Sequence, residues 1–93
     1  DQGQGVTGRA IRSGQPQIVN DMSADTRSVS RRRRTALARG FHSVIALPLT
    51  VDGEVVGNLS LYARETGFFD DEEVRLLTEL AGDISFALQY LAK

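Results

Sequence analysis

Ser43-Val44-Ile45-Ala46-Leu47-Pro48-Leu49-Thr50, then Asp52-Gly53, then Glu54-Val55-Val56-Gly57-Asn58-Leu59-Ser60-Leu61-Tyr62-Ala63-Arg64 decide the architecture. The first run is nearly continuous in apolar residues, as a strand buried on both faces should be. Asp-Gly is a tight hairpin turn signal. The second run alternates. Val55, Gly57, Leu59, Leu61 and Ala63 share an apolar face; Val56, Asn58, Ser60 and Tyr62 share a mixed one. The apolar face should carry a helix. Polar groups on the other face need partners from protein, water or ligand. Pro48 cannot donate to a ladder, so it points to a bulge or to a stretch of strand unpaired on one side. Gly57 points to a close approach of a backbone or a large side chain.

The helix for that apolar face lies downstream. Asp70 is a good N-cap, and Glu73 three residues on has capping-box spacing. Val74, Leu77, Ala81, Ile84, Leu88 and Leu91 then recur at heptad spacing, a seam along the whole element. Leu76, Leu80 and Ala87 widen the arc, so part of it is free to meet another helix. Phe86 and Tyr90 fall outside it, beside Glu79 and Asp83, and read as an interface or an accident.

The first half is less regular. Gly5 to Gly14 reads as a short helix with Val6, Ala10 and Ile11 inward and Gly14 as its stop. Gln17 to Asn20 is a short strand, and Asp21 to Arg27 a turn-rich loop. Ser28 or Ser30 caps a second helix running to about Arg39, with Val29, Ala36 and Leu37 tucked in and Gly40 closing it.

The chain has 93 residues, 41% hydrophobic and 25% charged, which fits one globular domain over 1–93. It does not begin with Met, so we expect a piece of a longer protein. No apolar run approaches the ~18 residues of a membrane span. With no Cys there is no disulfide, thiolate metal site or thiol catalysis. The setting expected is cytoplasmic. Eight Arg against three Asp in residues 1–51 give +5, and nine acids against Arg64, Arg75 and Lys93 in residues 52–93 give −6. The halves can pair within the fold or between subunits, present a patch to an anion, or form two solvated faces.

Several motifs have bland readings. Arg31 to Arg34 point in four directions on a helix and lack interleaved aromatics, which argues against nucleic acid. His42 has no second His and no Cys to make a metal or catalytic site. Asp21, Asp25 and Arg27 fit a loop held by Asx turns and an Asp–Arg pair better than a calcium loop. Asp70 to Glu73 fit a helix start. Gly3 to Gly8 spell GxGxxG, but no strand precedes them.

The ordered set Gly5 to Ile11 with Ser13 to Pro16, Ile18 to Asp21, Gly40 to Leu49, Gly53 to Tyr62 and Phe69 to Leu80 resembles the GAF domain family, small ligand-sensing modules of signalling proteins. The resemblance covers nearly all of this chain and about the last two thirds of the family module. It implies an α+β, profilin- or PAS-like antiparallel sheet with helices on both faces, here without a first helix and two strands. The strand from Glu54 to Arg64 should then have an open edge, or pair with another chain. Ala63-Arg64 stands where cyclic-nucleotide-binding members carry Asn-Lys, which argues against a cyclic nucleotide. Covalent bilin attachment and methionine sulfoxide reduction both need a Cys. His42 does not align with the haem axial ligand. The cofactor, if any, stays unknown.

Periodicity nominates a pocket lining on the reverse of the ribbon: Val56, Asn58, Ser60 and Tyr62, with Phe41, His42 and Ser43 from the neighbouring strand and Asp21 and Arg27 in a loop above. The alternative is a polar-edged second core without ligand. The resemblance implies a non-catalytic sensor of an unknown small molecule in a bacterial signalling protein. Its attached output domain would be a histidine kinase or a cyclic-di-GMP diguanylate cyclase (GGDEF) or phosphodiesterase. The alternative is a ligand-free homodimerisation module using Val74, Leu77, Ala81, Ile84, Leu88 and Leu91 with Phe86 and Tyr90. Neither reading involves nucleic acid or membrane contact by this segment.

Overall fold

The computed structural model describes residues 5–23 and 31–91. Its elements are α1 (Val6–Ser13), β1 (Gln17–Val19), α2 (Arg31–Ala38), β2 (Ser43–Val51), β3 (Glu54–Ala63) and α3 (Asp71–Leu91). The strands form one antiparallel sheet in the order β1-β2-β3. The element types and the antiparallel ribbon are those that the periodicity predicts. The proposed caps of α2 and Val29 lie outside the described residues.

The β2–β3 turn needs left-handed backbone, and Asp52 (φ 53°) with Gly53 (φ 80°) supplies it. Primed turns of this kind match the right-handed twist of the flanking strands. Asp-Gly tolerates such dihedrals with little strain. The ladder runs from Ser43 opposite Ala63 to Val51 opposite Glu54, with a register shift at Leu49/Thr50. Leu49 faces Gly57 and Thr50 faces Val55, so Val56 is the extra residue of a β-bulge. Pro48 lies next to this bulge, and also beyond the stretch Val44–Ala46 that β1 covers. Both readings of Pro48 therefore hold.

The core is split by the sheet. On one face Val6 and Ala10 of α1, Met22, and Ala36 of α2 meet Val44 and Ala46, flanked by Val19, Leu37, Phe41 and Tyr62. On the other, Ile45, Leu47, Ala63, Phe69 and Ala81 are buried together, with Leu49, Leu59, Leu61, Val74 and Leu77 against them. Helices thus cover both faces, α1 and α2 on one and α3 on the other. The unbroken apolar run of β2 follows from this, since its alternate residues enter different cores.

Three sequence expectations are corrected: a Cβ at Gly57 would meet nothing within 4 Å, so no close approach calls for that glycine. Ile11 is 43% exposed, because on so short a helix the sheet takes only the Val6–Ala10 line. The heptad seam of α3 is not uniformly covered: Val74, Leu77 and Ala81 join the core, Ile84 and Leu88 are half-buried, and Leu91 is 77% exposed. Asp70 caps α3, its Oδ1 accepting from the Glu73 N–H at 2.9 Å. Three acids follow in the first turn, where the helix dipole favours them. β3 is an edge strand among the described residues, as the resemblance implies. No helix among them is long and apolar enough to cross a membrane.

Candidate functional site

The sheet face opposite α3 gathers polar and aromatic groups that the two cores do not fully absorb. β3 presents Asn58, Ser60 and Tyr62 there by alternation. Asn58 Nδ2 donates to Ser60 Oγ at 2.6 Å, fixing the two side chains as a pair. Ser60 Oγ also lies 3.4 Å from Thr7 Oγ1 on α1, at the long limit of a hydrogen bond. Thr7 is absent from the sequence-based set. Its signal is its place three residues before Ala10, on the helix face turned to the sheet.

Phe41 and Tyr62 close the other end of this row, with ring centroids 5.9 Å apart and planes tilted by 48°. The Arg64 guanidinium sits 5.0 Å from the centre of the Phe41 ring. It also donates to the Arg39 carbonyl at 3.1 Å. This places a cation at the aromatic margin and ties the end of β3 to the turn after α2. Gly40 makes room for it: its φ is 90°, and a Cβ there would stand 2.7 Å from an Arg64 nitrogen.

The remaining sequence candidates are placed elsewhere. His42 Nδ1 donates to the Arg64 carbonyl at 2.9 Å, which orients the ring along the strand end. Ser43 shares the α3 face with Ile45 and Leu47 and is fully buried. Its hydroxyl points to the carbonyls of Asn20, at 3.1 Å, and Glu65. Ser43 is therefore not brought together with Asn58 and Tyr62. Val56, the bulge residue, is 59% exposed, since the extra residue breaks the alternation that grouped it with Asn58. Asp21 Oδ1 accepts from the N–H of Ser23 at 3.1 Å and its hydroxyl at 2.6 Å, an Asx turn. Arg27 lies outside the described residues.

Asn20, which the sequence marks only as a strand end within the family-like run Ile18 to Asp21, is a polar joint among the described residues. Its side chain bonds the Phe69 backbone, while its carbonyl accepts from Gly67 N–H at 2.8 Å and from Ser43. Its partners, Ser43, Gly67 and Phe69, lie 23 to 49 residues on, beyond the reach of any local pattern. Among the described residues no cluster of three or more His, Cys, Asp or Glu side chains is placed to hold a metal. The arrangement puts hydroxyl and amide groups beside two rings, with the Arg64 guanidinium at their margin.

The family model for the GAF domain matches residues 1–89. Among curated proteins none matches the chain significantly. Among solved structures, a GAF domain region from Geobacter sulfurreducens PCA is similar at 29% identity and TM-score 0.79, over 94% of this chain and 58% of that one. The free methionine-R-sulfoxide reductase of Neisseria meningitidis, solved in complex with its substrate, is 28% identical with TM-score 0.75, over 99% and 53%. A GAF domain/HD domain protein from Geobacter sulfurreducens has TM-score 0.71 at 20% identity, over 90% and 54%, a likeness of fold alone. This chain thus spans between about half and three fifths of those structures. By the family match over nearly its whole length, the chain belongs to the GAF domain family.

Proposed function

We propose that the chain is the sensing part of a non-catalytic regulatory GAF domain in a bacterial signal-transduction protein. Its ligand is a small molecule with a hydrogen-bonding edge for Thr7, Asn58 and Ser60 and an apolar face for Phe41 and Tyr62. The observation that carries this reading is that polar–aromatic row on the sheet face opposite α3. Ligand occupancy shifts how α3 sits on the sheet, and α3 passes the shift to an attached output domain. An output domain of the histidine kinase or cyclic-di-GMP type and a cytoplasmic location belong to this reading through the family resemblance alone.

An enzymatic reading draws on the likeness to the Neisseria meningitidis reductase. Reducing a sulfoxide needs a two-electron reductant, for which the family resemblance implies a cysteine thiol, and none of the 93 residues is Cys. A ligand-free homodimerisation module is the second reading. It draws on Phe86 and Tyr90, exposed at 74% and 73% on α3 beside Leu91.

A thermal-shift screen of small metabolites against the parent protein separates the readings. Stabilisation that rises with ligand concentration supports the sensor. Self-association that depends on protein concentration, with no response to any compound, supports the scaffold.

A further inference from the structure

The two halves of α3 are held by different chemistry. The first half is anchored by the Asp70 cap, by the grip of Asn20 on Phe69, and by buried Ala81 with half-buried Val74 and Leu77 packed against the Ile45–Leu47 core. Ala81 is the last α3 residue in either core cluster. Beyond it Ile84 and Leu88, half-buried like Val74 and Leu77, pack against neither core cluster, and Phe86, Ala87 and Leu91 are exposed.

What ties down this second half is polar. Ser85 Oγ accepts from the backbone N–H of Thr50 at 3.0 Å, and Gln89 Oε1, one turn on, accepts from that of Asp52 at 3.4 Å. Both donors belong to the end of the β2–β3 hairpin that β1 does not reach. Pro48, at the alternate position before Thr50, has no N–H to contribute. Between the halves stands Gly82, where a Cβ would meet nothing within 4 Å. Packing therefore does not call for a glycine, and a glycine weakens a helix interior.

We infer that Gly82 divides α3 into a fixed first half and a releasable second half, with Ser85 and Gln89 as a latch on the hairpin backbone. Movement of the hairpin, or water competing for two N–H groups, frees residues 83–91 without opening the core. The latch borders a solvent-open cleft of about 460 Å³ that also touches Pro16, Pro48 and Phe86, and none of the lining residues carries a formal charge. The inference deepens the regulatory reading and rests on it only for the latch's purpose. A ligand screen tests that reading; amide exchange tests the latch.

Hydrogen exchange on the intact protein is the experiment. Ser85→Ala is expected to speed exchange of Thr50 and of residues 84–91 by about three- to tenfold while residues 74–81 keep their protection. Gln89→Ala should do the same for Asp52. Ser85→Thr, which keeps the hydroxyl, restores protection. Gly82→Ala has room for its methyl group and should slow exchange of residues 83–91. Protection that changes equally in both halves, or second-half exchange that none of these variants alters, overturns the latch. A protein that answers no ligand yet keeps this exchange pattern counts against the sensor and leaves the latch standing.

Discussion

The side-chain amide of Asn20 grips the backbone of Phe69 at both ends: Nδ2 donates to the Phe69 carbonyl at 3.1 Å, and the Phe69 N–H donates to Oδ1 at 3.0 Å. One side chain thus imitates a strand pairing and locks the end of β1 to the entrance of α3. With two hydrogen bonds at about 1 kcal/mol each, Asn20→Ala should cost about 2 kcal/mol in denaturant unfolding. Asn20→Asp keeps the acceptor but turns an oxygen toward the Phe69 carbonyl. At neutral pH it should be no more stable than the Ala variant.

The cap at the same entrance is separable from this grip. Asp70→Ala removes the acceptor for the Glu73 N–H and should lower stability by about 1 kcal/mol, while Asp70→Ser recovers most of it. Urea titration of the two variants measures the difference.

Core position outweighs residue type. Leu47 has no exposed surface, and Leu47→Ala should cost about 3–5 kcal/mol. Leu91, largely exposed, should tolerate the same change within about 0.5 kcal/mol. Thermal and denaturant unfolding of the two variants would show how far burial in β2 outweighs the same side chain at the exposed end of α3.

Tyr62 tests whether a ligand on this face would meet its hydroxyl as well as its ring. Its ring packs on Phe41 and on the α1–α2 core, while no hydrogen bond of its hydroxyl is seen among the described residues. Tyr62→Phe should leave stability within about 0.5 kcal/mol. If the row binds a ligand through polar contacts there, the same variant should weaken the thermal shift by about tenfold in ligand concentration. An unchanged ligand response would remove the Tyr62 hydroxyl from the site.

Phe86 and Tyr90 contribute little to the isolated fold, each being about three quarters exposed. Exchanging both for Ser should leave unfolding nearly unchanged. In the dimerisation reading it converts an assembled species to monomer in sedimentation experiments, because exposed aromatics on one helix are typical anchors of an interface.

Local patterns were legible where the cause is local. The 3.6-residue period of α3, its Asp70 cap, the Asp52-Gly53 turn and the two faces of β3 from Asn58 to Ala63 follow from backbone geometry and near neighbours in the chain. β2 hid its facing, because a strand buried on both sides shows no alternation; Ser43 was therefore placed with the pocket and lies under α3 instead. Val56 was misgrouped because a bulge adds one residue without changing composition. The polar joints were invisible for another reason. Asn20 meets Phe69 across 49 residues, Thr7 meets Ser60 across 53, and Ser85 meets Thr50 across 35. Such pairings depend on where folding brings distant segments together. Chain chemistry alone determined which segments become helix and strand, while the closing of the tertiary structure decided which polar groups act as joints and which stay on the sheet face opposite α3.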